Sequence, residues 1–292
     1  MGLPSAISAP ERGTNNWVRF LRFGTDDYVF RLQRNADPRQ VAAEQRLLTE
    51  LRQRGLSFDV PAALPATDGA TAVATPLGLA TLCRRLPGSH PARGLPELEA
   101  IGRALGELDV ALAELPHELA PNDWRRPLAT IRPEITDFDE LGRALRRELP
   151  GAATDWFVER VPEIDAATQE LRQRLPVQIV HSDLGPSNLL IADGQVSAVL
   201  DFEIAGLDLR IADFVVSLGQ STDRSDPDQV AAFRRGYAAF VVLSDLEEAA
   251  LPTMSLQRAL GSVIWRAGVW RSGHATAADV LDRLTAAYEL QG

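Results

Sequence analysis

Residues 177–214 read VQIVHSDLGPSNLLIADGQVSAVLDFEIAGLDLRIADF, and this stretch decides the fold. Its first four residues, 177–180, are three β-branched apolar residues and one Gln, a composition that is typical of a buried strand. Further on, apolar segments flank Asp193-Gly194, a dipeptide that strongly favours a two-residue β-hairpin turn. The stretch therefore predicts a strand, a polar loop at 181–188 and a hairpin, in that order.

The predicted hairpin determines which polar side chains share its open end. Counting outward from the turn places Ala192 opposite Gln195, and it places Asn188 opposite Val199. Asp201 follows two residues later, and diagonal neighbours on paired strands lie about 7–8 Å apart. Asn188 and Asp201 are therefore both expected to reach one ion.

The preceding loop brings a second carboxylate, that of Asp183, to the same place. Phosphoryl transfer requires a base that orients and deprotonates a hydroxyl, and oxygen ligands that hold Mg²⁺ against the phosphates. Carboxylate and amide oxygens are hard ligands of the kind that Mg²⁺ prefers. His181, Asp183 and Asn188 have the H-x-D-x-x-x-x-N spacing of a kinase catalytic loop. The tripeptide that begins at Asp201 stands where such enzymes place D-F-G.

These motifs resemble those of the aminoglycoside phosphotransferase superfamily, which also includes choline/ethanolamine kinases and type II homoserine kinases. The resemblance implies an ATP- and Mg²⁺-dependent transfer of the γ-phosphate to a hydroxyl of a small molecule. It implies that Asp183 is the catalytic base, that His181 braces the loop, and that Asn188 and Asp201 bind the metal. Glu203 stands where a protein kinase has Gly, and choline kinases carry a similar Asp-Phe-Glu. By this resemblance Glu203 helps with the metal or with the substrate, and we group it with the metal ligands.

The rest of the chain agrees with a protein-kinase-like, two-lobed α+β fold. Residues 16–23 and 28–32 alternate like two strands of a hairpin. A helix is predicted to begin after Asp37, and short apolar stretches precede the chain break at Pro87-Gly88. Helical patterns dominate from residue 95 onward. The order of elements predicts a small β-rich N-lobe and a large, mainly helical C-lobe.

The two predicted lobes have different roles by the same resemblance. Residues 1–88 are expected to bind the nucleotide, with a hinge at about residues 82–88. Residues 89–292 are expected to carry the catalytic machinery and the acceptor site. Within that second region, Trp265 and Trp270 with their neighbouring arginines could line an acceptor pocket, or they could simply be core and surface residues.

A phosphate-binding Lys, which the family often has on a strand of the first lobe, is absent because every basic residue of the chain is Arg. Arg31 occupies the corresponding position, and it would hold phosphate as a planar fork. Glu44 would pair with it from the following helix. The alternative is a surface Arg on an edge strand and a solvated Glu. The other residues assigned to the nucleotide are Gly13, Thr14, Asn15 and Asn16 in a phosphate-covering loop, and Cys83 and Arg85 in a hinge strand that could equally be an ordinary strand end.

Charge and composition restrict the partners. The net charge is −10, which argues against a nucleic-acid footprint. No apolar run is long enough to span a bilayer, so we expect no membrane partner. The one cysteine, Cys83, cannot form an intramolecular disulfide, which is typical of a reducing cytoplasm. The sequence is also compatible with a homodimer.

The acidic residues are concentrated after residue 88, and an acidic acceptor lobe favours a cationic substrate. The acceptor is therefore expected to be an amine-bearing alcohol of the aminoglycoside, choline/ethanolamine or homoserine type. A nucleotide-binding pseudokinase with a regulatory role is the alternative, and the missing Lys favours it. The presence of Asp183 argues against it, because a pure binder has no need of a base.

Overall fold

The computed structural model describes residues 3–10, 16–34 and 36–290. Its strands are β1 (Ala6–Ser8), β2 (Trp17–Phe23), β3 (Asp26–Gln33), β4 (Val73–Thr75), β5 (Gly78–Arg84), β6 (Asn122–Asp123), β7 (Val177–Val180), β8 (Leu189–Ala192), β9 (Gln195–Val199) and β10 (Gly206–Leu209). Its α-helices are α1 (Pro38–Arg52), α2 (Leu95–Ala113), α3 (Phe138–Glu148), α4 (Ala152–Arg172), α5 (Arg210–Ser221), α6 (Pro227–Tyr237), α7 (Asp245–Arg271) and α8 (Ala277–Glu289). Short 3-10 helices cover His117–Leu119, Leu128–Thr130 and Pro186–Asn188.

The chain divides into two compact units. The first comprises Met1–Asn122, Ile179–Gly206 and Ser217–Val242, and the second comprises Asp123–Gln178, Leu207–Val216 and Leu243–Gly292. The boundary predicted near residue 88 divides nucleotide binding from acceptor binding, and that functional division stays a prediction. Of the described helices, none combines the length and the apolar character that crossing a membrane requires.

The first unit contains an antiparallel five-stranded sheet in the order β1-β2-β3-β5-β4. The predicted hairpin is confirmed, because β2 pairs with β3 from Trp17 opposite Leu32 to Phe23 opposite Asp26. The three-residue β1 was not predicted. Strand β3 lies between β2 and β5, so Arg31 is on an interior strand and the edge-strand alternative for it is wrong.

Helix α1 begins where the sequence predicts. Asp37 is its N-cap and accepts a hydrogen bond from the Arg39 backbone N–H at 2.8 Å, and Pro38 occupies the first turn. Such a cap satisfies one of the backbone donors that a helix start leaves unpaired. The helix buries Leu47 and Leu51 in the core of the first unit and thereby fixes the position of Glu44 one turn earlier.

The hairpin of β8 and β9 has the predicted turn. Asp193 and Gly194 have φ values of 51° and 75°, the positive pair that a type I′ turn requires. Ala192 lies opposite Gln195, as predicted. The turn residues therefore define both the existence of the hairpin and the pairing next to the turn.

The predicted pairing at the other end of the hairpin is wrong by one residue. Val199 lies opposite Leu189 and not opposite Asn188, because the register shifts beyond Leu190. Ser197 is the extra residue on β9; its hydroxyl donates to the Pro87 carbonyl at 2.7 Å, and its carbonyl accepts a hydrogen bond from elsewhere in the first unit. A bulge of this kind leaves one residue out of the ladder.

Helices α2 and α6 of the first unit approach each other closely at glycines. A Cβ atom on Gly102 would lie 2.0 Å from the Phe233 carbonyl oxygen, and one on Gly236 would meet the α2 backbone at 1.9 Å. Beside this contact, the Tyr237 hydroxyl donates to the fully buried Asp109 at 2.7 Å. Asp109 is therefore a structural residue of the helix pair.

The second unit is mainly helical. Helix α4 starts at Ala152 and continues through Pro162. Burial explains why this proline is tolerated: Phe157 and Val161 belong to the same apolar cluster as residues of α7 and α8, and tertiary packing outweighs a local helix-breaking preference.

Candidate active site

His181 connects the catalytic loop to the residues that follow β9. Its ring is fully buried; Nδ1 accepts a hydrogen bond from the Asp183 backbone N–H at 3.2 Å, and Nε2 lies 2.9 Å from the Leu200 carbonyl oxygen. The ring also packs edge-on against Phe202, with the ring centroids 4.6 Å apart. These contacts connect the His181 ring to both segments, and the bracing role that the family resemblance implies for it stays a prediction.

The carboxylate of Asp183 is held at both oxygens by amide groups. Asn188 Nδ2 donates to Oδ2 at 3.0 Å and to the Asp183 carbonyl at 2.8 Å. Gln220 Nε2 donates to Oδ1 at 2.7 Å. The sequence analysis missed Gln220, which lies on α5 and belongs to no short motif, so a single sequence gives no signal for it.

Arg31 lies among three carboxylates in the first unit. Its Nη1 is 3.0 Å from Glu44 Oε1, which confirms the predicted ion pair. Its Nη2 is 3.1 Å from Asp201 Oδ1 and 2.5 Å from Glu203 Oε2. One guanidinium thus faces three acidic groups, and the cluster keeps an excess of negative charge.

Burial and charge act in opposite directions on this cluster. Burial alone would lower the pKa of the Arg31 guanidinium, but the carboxylates of Glu44, Asp201 and Glu203 outweigh it, and the pKa is raised. For Glu44 burial is the larger effect, so the pKa of its carboxyl is raised even though Arg31 lowers it. Arg31 therefore stays charged, while the ionised form of Glu44 is disfavoured by its surroundings.

Glu203 is fixed by its side chain and by its backbone. Asn16 Nδ2 donates to Glu203 Oε2 at 2.8 Å. The Glu203 carbonyl oxygen accepts from Gln40 Nε2 at 3.1 Å and from Asn122 Nδ2 at 3.0 Å. Gln40 and Asn122 were not anticipated, since both act over long sequence separations. Of the predicted phosphate-covering loop, Asn16 is thus beside the acidic cluster, whereas Gly13, Thr14 and Asn15 lie outside the described residues.

Of the two predicted hinge residues, Cys83 is in the five-stranded sheet and Arg85 directly follows it. Cys83 is on β5 opposite Val29, and burial raises the pKa of its thiol to about 11. The Arg85 backbone N–H donates to the Asp27 carbonyl at 2.9 Å, and its guanidinium lies 4.3 Å from the centre of the Phe20 ring. A role for Cys83 or Arg85 in adenine binding remains a prediction.

Two residues of the site have a backbone conformation that side-chain-bearing residues rarely adopt. Asp201 has φ = 63° and Ser182, next to Asp183, has φ = 70°. Such conformations cost roughly 1–3 kcal/mol each and concentrate at functional sites. The strain therefore lies at Asp201 itself and at the residue before Asp183.

The tail residues considered for an acceptor pocket have different contacts within the second unit. Arg132 stacks its guanidinium 4.3 Å from the centre of the exposed Trp265 ring. Trp270 packs against the apolar core of that unit, and Arg271 pairs with Glu140 at 2.7 Å. Trp270 and Arg271 thus have structural contacts, and an acceptor role for the tail stays a prediction.

Comparisons with known proteins identify the family of this chain. A family model described as the phosphotransferase enzyme family matches residues 6–251. A homoserine kinase of Gluconacetobacter diazotrophicus is 30% identical over 271 residues, which cover 88% of this chain and 79% of that protein. A homoserine kinase of Granulibacter bethesdensis is 26% identical over 288 residues, covering 92% and 83%.

The structure is similar to that of the amicoumacin kinase hAmiN in complex with AMP-PNP, Ca²⁺ and Ami. The TM-score is 0.73 at 16% identity, and the match covers 97% of this chain and 87% of that one. This likeness concerns the fold, which is of the protein-kinase-like α+β type. The comparisons support an enzyme and give no support to the pseudokinase alternative. The chain therefore belongs to the phosphotransferase enzyme family and is a small-molecule kinase.

Proposed function

We propose that this kinase transfers the γ-phosphate of Mg·ATP to the hydroxyl of a small amino alcohol, and that homoserine is its acceptor. The observation that carries the proposal is the Asp183 carboxylate, fixed at both oxygens by neutral amides in a loop with kinase spacing. Homoserine is favoured among amine-bearing alcohols because the relatives with 26% and 30% identity along most of the chain are homoserine kinases.

Asp183 has the role of the base in this proposal. Its carboxylate accepts the proton of the acceptor hydroxyl as that oxygen forms a bond to the γ-phosphorus. The bond between the γ-phosphorus and the bridging oxygen breaks, and ADP leaves with the electron pair. Positioning of the hydroxyl contributes much of the rate in reactions of this kind, so the fixed orientation of the carboxylate matters as much as its basicity.

The residues around Asp201 fit a divalent metal ion. Asp201 and Glu203 already hold a cation, the guanidinium of Arg31, against their carboxylate oxygens. Asn188 directs its amide nitrogen to Asp183, which leaves its hard Oδ1 for a metal. Bound there with ATP, Mg²⁺ would neutralise charge on the phosphates.

Phosphate oxygens complete the metal-ligand set in this proposal. In the part of the chain that the structure describes, no three His, Cys, Asp or Glu side chains are arranged to bind a metal on their own. Magnesium commonly takes one or two carboxylates together with substrate phosphates and water. Asp201 and Asn188 are the proposed protein ligands, with Glu203 beside them.

Arg31 is proposed to replace the usual Lys. Its Nη1 bond to Glu44 anchors the side chain, while Nη2 faces the acidic pair. We propose that Arg31 keeps the Glu44 contact and directs Nη2 to the nucleotide phosphates in the Mg·ATP complex. A guanidinium suits this change, because its several donors can serve two partners at once.

A coupled ADP-release assay with homoserine tests the proposal. Mg·ATP-dependent ADP release should rise with homoserine and stay at background with 2-aminobutyrate, which lacks only the hydroxyl. ³¹P NMR should show a new phosphate ester. Choline, ethanolamine, 1-amino-2-propanol and an aminoglycoside complete the panel. ADP release with one of these compounds and not with homoserine would change the proposed acceptor and would leave the proposed class of reaction unchanged. If Mg·ATP binds but no acceptor raises ADP release above background, the proposed activity is wrong.

A further inference from the structure

Gln220 is the second amide donor to the proposed base. It lies in the last turn of α5 and donates from Nε2 to Asp183 Oδ1 at 2.7 Å. Asn188 donates to the other oxygen at 3.0 Å. Asn188 belongs to the motif, whereas Gln220 reaches the carboxylate across 37 residues of sequence separation.

The loop is shaped to admit the Gln220 side chain. A Cβ atom on Gly185 would lie 1.9 Å from Gln220 Oε1, 2.9 Å from its Cδ and 3.0 Å from its Cβ. Gly185 itself has φ = −141°, an extended conformation that any residue can adopt. Space for Gln220, and not backbone freedom, is therefore what a glycine provides here.

We propose that Gln220 is a positioning residue that fixes the plane of the Asp183 carboxylate for phosphoryl transfer; this inference rests on the proposed function. With one neutral donor on each oxygen, rotation of the carboxylate about its last bond is opposed from both sides. Each carboxylate oxygen can accept more than one hydrogen bond, so the two amides do not by themselves exclude the acceptor hydroxyl. Because both donors are neutral, they orient the base without placing a full positive charge against it.

Substitutions of Gln220 separate positioning from binding. Gln220→Met keeps the length of the side chain but cannot donate, and Gln220→Glu places an acceptor and a like charge against Asp183. We expect kcat to fall about 10- to 100-fold for Met and further for Glu, since misplacement of a catalytic group by 1 Å can cost about 10² in rate. The KM values for Mg·ATP and acceptor should stay within about twofold, because neither substrate loses a contact.

Gln53→Met is the matched control, since Gln53 is exposed just beyond the end of α1. It should leave kcat unchanged. Thermal unfolding and calorimetric Mg·ATP binding, both close to those of the wild type, should show that each Gln220 variant is folded. An unchanged kcat in both Gln220 variants, or a rise in KM alone, would overturn the inference.

A double-mutant cycle tests the same contact from the other side. Gly185→Ala should lower kcat about as much as Gln220→Met, because the new methyl displaces the Gln220 amide. In a Gln220→Ala background the clashing Oε1 and Cδ are gone, so Gly185→Ala should cost little more. Strictly additive losses would contradict the inference.

Asp183→Asn distinguishes this inference from the function on which it rests. If Asp183→Asn abolishes turnover while both Gln220 variants keep it, the inference fails and the proposed function stands. If Asp183→Asn retains turnover, the base role of Asp183 fails and the positioning role of Gln220 fails with it, while the phosphotransferase activity stands.

Discussion

Asp183 and Asp201 belong to one motif, yet they contact donors of different charge. Asp183 accepts hydrogen bonds from the neutral amides of Asn188 and Gln220. Asp201 faces the guanidinium of Arg31 and shares it with other carboxylates. Neutral amide donors orient a carboxylate without adding charge, whereas a guanidinium also places a cation against it. The difference matches the roles proposed for them, a base at Asp183 and a metal ligand at Asp201.

The largest expected effect comes from removing the base. Asp183→Asn should lower kcat by about 10²–10⁴, the usual contribution of a general base, and should leave Mg·ATP affinity nearly unchanged. Steady-state kinetics with homoserine and calorimetry with Mg·ATP measure the two quantities. If Asp183→Asn weakens Mg·ATP binding by as large a factor as it lowers kcat, the proposal that Asp183 acts in turnover and Asp201 in nucleotide binding is wrong.

The opposite pattern is expected at the second aspartate. Asp201→Asn removes a negative oxygen from the proposed metal site, so Mg·ATP affinity should fall about 10-fold or more, the weakening typical when a metal site loses a supporting group. Binding of ATP in EDTA should change much less. Calorimetry with and without Mg²⁺ makes the comparison. Equal Mg·ATP affinities for Asp201→Asn and wild type would refute Asp201 as a metal ligand.

A third substitution tests whether the acidic cluster depends on its cation. Arg31→Met leaves three carboxylates facing one another, and breaking a buried charge pair typically costs about 3–5 kcal/mol. The free energy of unfolding in EDTA should therefore fall by up to about this amount, less whatever protonation of Glu44 relieves. Arg31→Lys is the matched control, and its free energy of unfolding should fall less because it keeps a positive charge.

Added Mg²⁺ sharpens this test because it needs no turnover. Millimolar Mg²⁺ should raise the unfolding midpoint of Arg31→Met more than that of the wild type, since the variant has carboxylates without a cation. Denaturant unfolding with Mg²⁺ or EDTA gives the readout. If Mg²⁺ shifts the unfolding midpoints of Arg31→Met and the wild type equally, the guanidinium and the metal do not bind the same carboxylates.

The comparison also shows how far the sequence could predict the site. The spacing from His181 to Asn188 and the turn at Asp193 depend on neighbouring residues, so local patterns sufficed. The register beyond Leu190 depends on Ser197 bonding outside its hairpin, and no local pattern encodes that contact.

Distant partners were missed for the same physical reason. Gln220 reaches Asp183 from α5, and Asn122 reaches the Glu203 backbone over 81 residues. Polar side chains on helices and loops have no period that marks them as site residues. The pair of Arg31 and Glu44 was predictable only because a family resemblance placed both residues, and geometry then confirmed the contact.

The smallest effect is expected at the buried partner of Arg31. Burial raises the pKa of the Glu44 carboxyl above its ordinary 4.5, so the folded state binds its proton more tightly than the unfolded state does. Stability from this group is present below pH 4.5 and is lost as pH rises through the folded-state pKa.

Glu44→Gln lacks this titration. The free energy of unfolding of Glu44→Gln, measured relative to that of the wild type, should therefore rise as pH rises from about 4 to neutrality. Denaturant unfolding at several pH values measures it, with Glu50→Gln, an exposed residue of the same helix, as the control. A shift in favour of the wild type would mean that the attraction of Arg31, and not burial, dominates at Glu44, which would make the acidic cluster a stabilising element of the fold at neutral pH.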